Sequence, residues 1–99
     1  MATAAIRKTT ASEHCTMGGN GYNFACNFNG RSTCWAIDIT QSDGSTLNDY
    51  TRTKWMAEAL AEFINTTDWD GVGCYEMGTV QMLHDRGEYD KADKFKLVG

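Results

Sequence analysis

The chain contains two histidines and four cysteines, the side chains most able to bind a transition metal or to act as nucleophiles: His14, Cys15, Cys26, Cys34, Cys74 and His84. Structural zinc sites usually bring their ligands in close pairs such as Cys-x-x-Cys, because one tight turn then aims two sulfurs at the same ion. The sequence has no such pair. We therefore predict that no metal is bound and that the thiols pack as small apolar side chains.

A second candidate for metal chemistry is the segment that begins at Asp68. Asp68-x-Asp70 resembles the opening of a calcium-binding loop, with Gly73 at the position of the sharp turn. Val72 stands where an oxygen ligand is needed, and Thr79 stands where a bidentate glutamate should close the site. The segment is predicted to be a solvated turn.

Catalytic patterns are also missing from the sequence. His14 and Cys15 are neighbours, so on a strand their side chains would point to opposite faces. The glycine cluster 18–21 is followed by neither the lysine nor the helix that a phosphate-binding loop needs. A Gly-x-Ser-x-Gly pattern does not occur either. We predict that the protein is not an enzyme and carries no cofactor.

The most unusual feature is the placement of charge. The stretch from Trp55 to Asp85 contains no lysine or arginine, and a tryptophan sits between two of its acids. Six residues of this tract are predicted to bind a partner: Glu58, Glu62, Asp68, Trp69, Asp70 and Glu76. An acidic surface attracts a basic partner, and tryptophan is enriched at interface hot spots. The alternatives are a solvated surface that keeps the protein soluble, and a loop tryptophan folded over the core.

Composition narrows the classes of protein further. The formal net charge is −4 and the pI is about 4.9, which disfavours direct binding to nucleic acid. No apolar run is long enough for a signal peptide or a membrane span. We expect a cytoplasmic protein with reduced thiols, folded as a single domain over residues 1–99. Its oligomeric state stays open.

The strongest structural signal is a β-hairpin over residues 22–39 with its turn at Asn29-Gly30. A two-residue turn would place Phe24 opposite Trp35 and Tyr22 opposite Ile37. A third strand is predicted at 12–17, whereas residues 3–10 either extend this strand or stay loose. One face of the hairpin would then be largely aromatic: Tyr22, Phe24, Cys26, Phe28, Trp35, Ile37 and Ile39. The other face is small or polar and would tolerate water.

Helical periodicity dominates the second half of the chain. Helices are predicted at about 47–65, 75–86 and 88–96, with Gly87 as the interruption between the last two. The buried stripe of the first helix is predicted to be Met56, Ala59, Leu60, Phe63 and Ile64. We predict an α+β fold in which an antiparallel sheet of two to three strands packs its aromatic face against two to three helices.

This combination resembles the small phage-encoded anti-CRISPR proteins. The resemblance is one of type and is carried by the size, the 22–39 hairpin and the acidic tract from Glu58 to Asp85. It implies a nucleic-acid mimic that blocks a basic surface of a CRISPR effector subunit. Two other functions remain open from the sequence, namely a small metal- or thiol-dependent module and a subunit of a larger assembly.

Overall fold

The described part of the chain forms a sheet of three antiparallel strands and three helices that follow it. The computed structural model describes residues 1–10, 33–68 and 75–95. The elements are β1 (Thr3–Thr10), β2 (Thr33–Thr40), β3 (Thr46–Thr51), α1 (Lys54–Thr66), α2 (Tyr75–Asp85) and α3 (Tyr89–Lys94). The strand order is β1-β2-β3. The predicted α+β class, with an antiparallel sheet of two to three strands and two to three helices, is confirmed: the described residues form three of each.

Strand β2 has a strand on each of its edges. Trp35 pairs with Lys8 of β1 and with Thr51 of β3. Ile37 likewise pairs with Ile6 and with Asp49. Both edges of β2 are therefore filled at these two residues, and their predicted pairing across the 22–39 hairpin is wrong. Residues 22–32, including the Asn29-Gly30 turn, and the predicted strand at 12–17 lie outside the described residues.

The loop at residues 41–45 joins two strands, β2 and β3. The Gln41 amide donates to the Ser45 carbonyl at 2.8 Å, and Gly44 adopts a φ of 88°, which glycine tolerates best. The Asp43 carboxylate accepts hydrogen bonds from the Ser45 amide and hydroxyl at 2.9 and 2.6 Å. The chain then returns as β3.

The first helix consequently begins later than predicted. Residues 47–51 belong to β3, and α1 starts at Lys54 with Thr53 as its N-cap residue. All six residues of β3 pair with β2, and the hydrogen bonds of this pairing hold the segment in a strand rather than in the first turns of a helix.

The core lies between one face of the sheet and the helices. Ile37 and Ile39 are fully buried on this face and pack in one cluster with Leu60 and Ile64 of α1. The predicted stripe of α1 is confirmed, since all five of its members are buried. The predicted aromatic face is not supported, because the described sheet side chains in contact with this cluster are mostly aliphatic and Trp35 is only half-buried.

The opposite face of the sheet was expected to tolerate water, and here the structure differs. Cys34, Ala36 and Tyr50 on this face are all buried. Beside them the Arg7 guanidinium donates two hydrogen bonds to Asp38, at 2.7 and 3.2 Å, and the Asn48 amide donates a third. Arg7, Asp38 and Asn48 thereby connect β1, β2 and β3.

Helix α2 packs on α1, and α3 packs on α2. Gly87 separates α2 from α3, as predicted, with a φ of 79°. Its amide donates to the His84 carbonyl at 3.0 Å and the Glu88 amide donates to the Leu83 carbonyl at 2.9 Å, which is the Schellman ending of a helix. Within the described ranges, no helix has the length and apolar character needed to cross a membrane.

Candidate protein-binding surface on the two long helices

The described members of the acidic tract lie on and around α1 and α2. Glu58 and Glu62 are exposed on α1, one helical turn apart on the side away from the sheet, and Asp68 is exposed just after this helix. Glu76 lies in the first turn of α2 and is half-buried. Trp69 and Asp70 lie outside the described residues, so their predicted role stays a prediction.

Glu62 has a basic partner that the sequence pattern did not reveal. The Arg86 guanidinium, just beyond the C-terminal end of α2, forms an ion pair and hydrogen bond with the Glu62 carboxylate. This hydrogen bond lowers the pKa of Glu62 and raises that of Arg86. The stretch without lysine or arginine ends at Asp85, and Arg86, which pairs with the negative charge of Glu62, is the next residue in the chain.

Glu76 belongs to a different group of acids. Burial raises the pKa of Asp49 on β3, and the nearby Glu76 carboxylate raises it further. Burial also raises the pKa of Tyr75, with the negative charges of Asp49 and Asp43 adding to the effect. The Tyr75 hydroxyl donates to the Gln41 side-chain carbonyl at 3.4 Å. Asp49 falls within the helix predicted at about 47–65 but belongs to strand β3 in the structure.

An apolar groove runs between α1 and α2. It has a volume of about 570 Å³, and the residues that line it include Phe63, Met77, Gly78, Gln81, Met82 and Asp85. Met77 is 72% exposed, the largest exposed fraction among the described large hydrophobic side chains. Tyr75, two residues earlier on α2, is by contrast buried.

The floor of the groove depends on a glycine. A Cβ atom at Gly78 would lie only 2.1 Å from the Phe63 ring, so no other residue fits there without movement of that ring. Phe63 is itself buried at 5% exposure. The close approach of the two helices is therefore built on Gly78, a position the sequence analysis did not single out.

The rim of the groove is polar. The Gln81 amide donates to Asp85 at 2.7 Å, one turn along α2. Arg86 lines the groove and is paired with Glu62, while Asp68 follows the lining residue Thr67. Among the lining residues, one acid, Asp85, and one base, Arg86, thus border an apolar floor.

The structure gives no described metal site. Among residues 1–10, 33–68 and 75–95, no three histidine, cysteine, aspartate or glutamate side chains are grouped so that they could hold a metal ion. Cys34 is buried and its thiol lies 3.8 Å from the Thr10 carbonyl oxygen. His84 is exposed, and its ring packs edge-on against Tyr89 with centroids 4.7 Å apart. The other candidate ligands, His14, Cys15, Cys26 and Cys74, lie outside the described residues.

One end of β1 is already occupied, which bears on the hypothesis of assembly through a strand edge. The Asn65 side chain of α1 accepts from the Ala4 amide at 2.8 Å and donates to the Ala4 carbonyl at 2.9 Å. It satisfies the backbone groups that an added strand would need at this residue.

Comparisons of this chain with models of protein families, with curated proteins and with solved structures find no match.

Proposed function

We propose that this protein is a non-enzymatic inhibitor that binds a partner protein through an acidic surface and blocks a basic, nucleic-acid-binding surface of that partner. A CRISPR effector subunit is the proposed class of target, in keeping with the resemblance of type to anti-CRISPR proteins. The single observation that carries the proposal is the exposure of Glu58, Glu62 and Asp68 on the outward side of α1 and directly after it.

Helix α1 supports this role because it holds its acids on a rigid element. Its inner stripe is buried against the sheet, so the positions of Glu58 and Glu62 are set by packing rather than by a loose loop. Carboxylates held in fixed positions steer a positively charged partner and speed its association.

The ion pair with Arg86 refines the proposed site. Arg86 already pairs with the Glu62 carboxylate, so Glu62 contributes less uncompensated negative charge than Glu58 and Asp68 do. A partner arginine could bind Glu62 only by competing with Arg86. We therefore expect Glu58 and Asp68 to contribute more to binding than Glu62, with Trp69, Asp70 and Glu76 as further proposed contacts.

The proposal is tested with purified CRISPR effector complexes whose DNA binding is measured with and without the protein. The variant Glu58→Lys/Asp68→Lys should lose at least about tenfold in inhibition, because two attractive charges become repulsive. Asp93→Lys is the matched control, since Asp93 is an exposed acid on α3 outside the proposed site.

Capture of partners from a bacterial lysate identifies the target if none of the purified complexes is inhibited. The acidic surface has no specific role if the wild type and Glu58→Lys/Asp68→Lys capture equal amounts of the partner. The same conclusion follows if Asp93→Lys loses as much inhibition as the double variant does.

A further inference from the structure

We infer that the outer edge of strand β1, at Ile6 and Lys8, pairs with an acidic extended strand of a partner protein. The added strand runs antiparallel to β1 and continues the sheet. This inference goes beyond the proposed function, because the edge belongs to the sheet and does not use the acids of the acidic tract. It is carried by the backbone of β1 and by the charges at one end of the sheet.

The backbone of β1 turns alternately to its two edges. In an antiparallel ladder, every second residue points its N–H and C=O groups away from the neighbouring strand. Both groups of Ala4 point away from β2, since they bond to the side chain of Asn65. The register with β2 is unbroken over the whole strand, so the same alternation turns the N–H and C=O groups of Ile6 and Lys8 to the outer edge. Within the described parts of the chain, no hydrogen bond reaches these four groups.

Asn65 shows what kind of group this edge accepts. Its side-chain amide donates one hydrogen bond to Ala4 and accepts another, which are the two bonds that a residue of an added strand would exchange there. An added strand therefore begins beyond Ala4. The next two outward residues, Ile6 and Lys8, are about 7 Å apart along β1. Their four backbone groups are complemented by another extended chain, which supplies donors and acceptors at the same spacing.

The charges at this end of the sheet select an acidic strand. Lys8 lies opposite Trp35 in the ladder, and the Lys54 ammonium group lies 5.6 Å from the centre of the Trp35 ring. Neither lysine forms an ion pair within the described residues. Residues 1–10 and 50–57, which provide β1 and the connection from β3 to α1, contain four bases and no acid. A partner strand with a negative charge is attracted to this end.

The two outward residues define the sequence pattern of the partner. Opposite charges on facing residues of neighbouring strands stabilise a sheet and like charges destabilise it, so we expect an acid opposite Lys8. Ile6 is half-buried and packs against the core cluster, so we expect an apolar residue opposite it. In an antiparallel strand this order reads acid-x-apolar. A second copy of β1 does not fit, because pairing Ile6 with Lys8 of that copy would set the two Arg7 side chains opposite each other.

Amide hydrogen exchange in the protein alone tests the edge. The amides of Ile6 and Lys8 should exchange at least about tenfold faster than those of Ala5 and Arg7, which donate to β2. Equal protection of all four amides would mean that the outer edge is already paired, and the inference would be lost.

Four synthetic peptides test the partner. The first carries the sequence Thr-Glu-Thr-Val-Thr between neutral polar ends, and the second has lysine in place of glutamate. The third is N-methylated at valine, whose amide would donate to the Ile6 carbonyl. The fourth is N-methylated at the central threonine, which would lie opposite Arg7 with its amide turned away from β1. It is the matched control for the third.

We expect the glutamate peptide to bind with a Kd of about 0.1–1 mM and to slow exchange of the Ile6 and Lys8 amides. The lysine and N-methylvaline peptides should bind at least about tenfold more weakly, and the N-methylthreonine peptide as well as the first. Lys8→Glu should reverse the preference between the glutamate and lysine peptides. Lys94→Glu, at an exposed lysine of α3, should leave it unchanged.

Three results would overturn the inference. Equal binding of the glutamate and lysine peptides would show that charge at Lys8 does not select the partner. Equal binding of the N-methylvaline peptide would show that the backbone of β1 is not used. No binding of any peptide at about 5 mM, well above the expected Kd, would mean that Lys8 only protects the edge from pairing.

Discussion

The substitution Gly78→Ala tests the packing of α2 against α1. The added Cβ would lie 2.1 Å from Cζ, 2.4 Å from Cε2 and 2.9 Å from Cε1 of the Phe63 ring. Ordinary contact begins near 3.4 Å, so the ring or the helix must move by about 1.3 Å. Phe63 is buried in the core cluster, which limits the room for this movement.

Two opposing effects set the expected magnitude. Overpacking a well-filled site costs about 1–3 kcal/mol, and a Cβ only 2.1 Å from a buried ring belongs in the upper part of that range, about 2–3 kcal/mol. Replacing glycine with alanine inside a helix returns about 1 kcal/mol of helix propensity. We therefore expect a net loss of roughly 1–2 kcal/mol in the free energy of unfolding, which corresponds to a fall in Tm of about 4–16 °C for a chain of this size.

Urea denaturation followed by circular dichroism measures the loss. The double variant Gly78→Ala/Phe63→Leu separates the steric clash from other effects, because leucine lacks the ring atoms that the new Cβ meets. Its destabilisation should be smaller than the sum of the two single variants by about 0.5 kcal/mol or more.

Gln81→Ala serves as the control, since Gln81 is an exposed position of the same helix. If Gly78→Ala is as stable as the wild type or more stable, or if the double variant is strictly additive, the close approach of Gly78 to Phe63 does not hold α2 in place.

Three further substitutions test other parts of the fold. Asp49→Asn should stabilise the protein by about 0.5–2 kcal/mol at pH 7, because a raised folded-state pKa means that ionised Asp49 disfavours the fold. As the pH falls through that raised pKa towards 3.8, Asp49 becomes protonated in the wild type, and the wild type regains the stability it lacks at pH 7. The difference in free energy of unfolding between Asp49→Asn and the wild type, measured by urea titration, should therefore be smaller at pH 3.5 than at pH 7. A difference that does not depend on pH would contradict this reasoning. Asp38→Ala should lower the free energy of unfolding by roughly 1 kcal/mol in the same assay, because an exposed ion pair and a cross-strand hydrogen bond are both lost. No loss of stability would mean that the three strands are not joined through this residue. Asn65→Ala should lower the free energy of unfolding by about 1–2 kcal/mol, because its two hydrogen bonds to Ala4 are lost. It should also speed hydrogen exchange at the Ala4 amide. Unchanged exchange would show that Asn65 does not cover this part of the strand edge.

The acidic surface and the groove depend on the sequence to different degrees. Glu58, Glu62 and Asp68 were found from charge spacing alone, because acids on the outer side of an amphipathic helix are exposed wherever that helix packs. The pairing of Glu62 with Arg86 and the closeness of Asp49 to Glu76 join residues 24 and 27 positions apart in the sequence. No local pattern predicts such pairs, so the sequence could not show which acids are compensated or repelled.

What the sequence by itself determined was the local order of the second half of the chain. The spacing of Met56, Leu60 and Phe63 predicted α1 and its buried stripe, because helical periodicity records which side of an element leaves water. Gly87 predicted the break between α2 and α3, because a positive φ strongly favours glycine. Only the tertiary structure decided that residues 46–51 form a strand. Leu47, Asp49 and Thr51 share one face of this segment, but they do not form the apolar stripe that would predict a strand. Pairing with β2 overrides the helix that the local sequence predicts there.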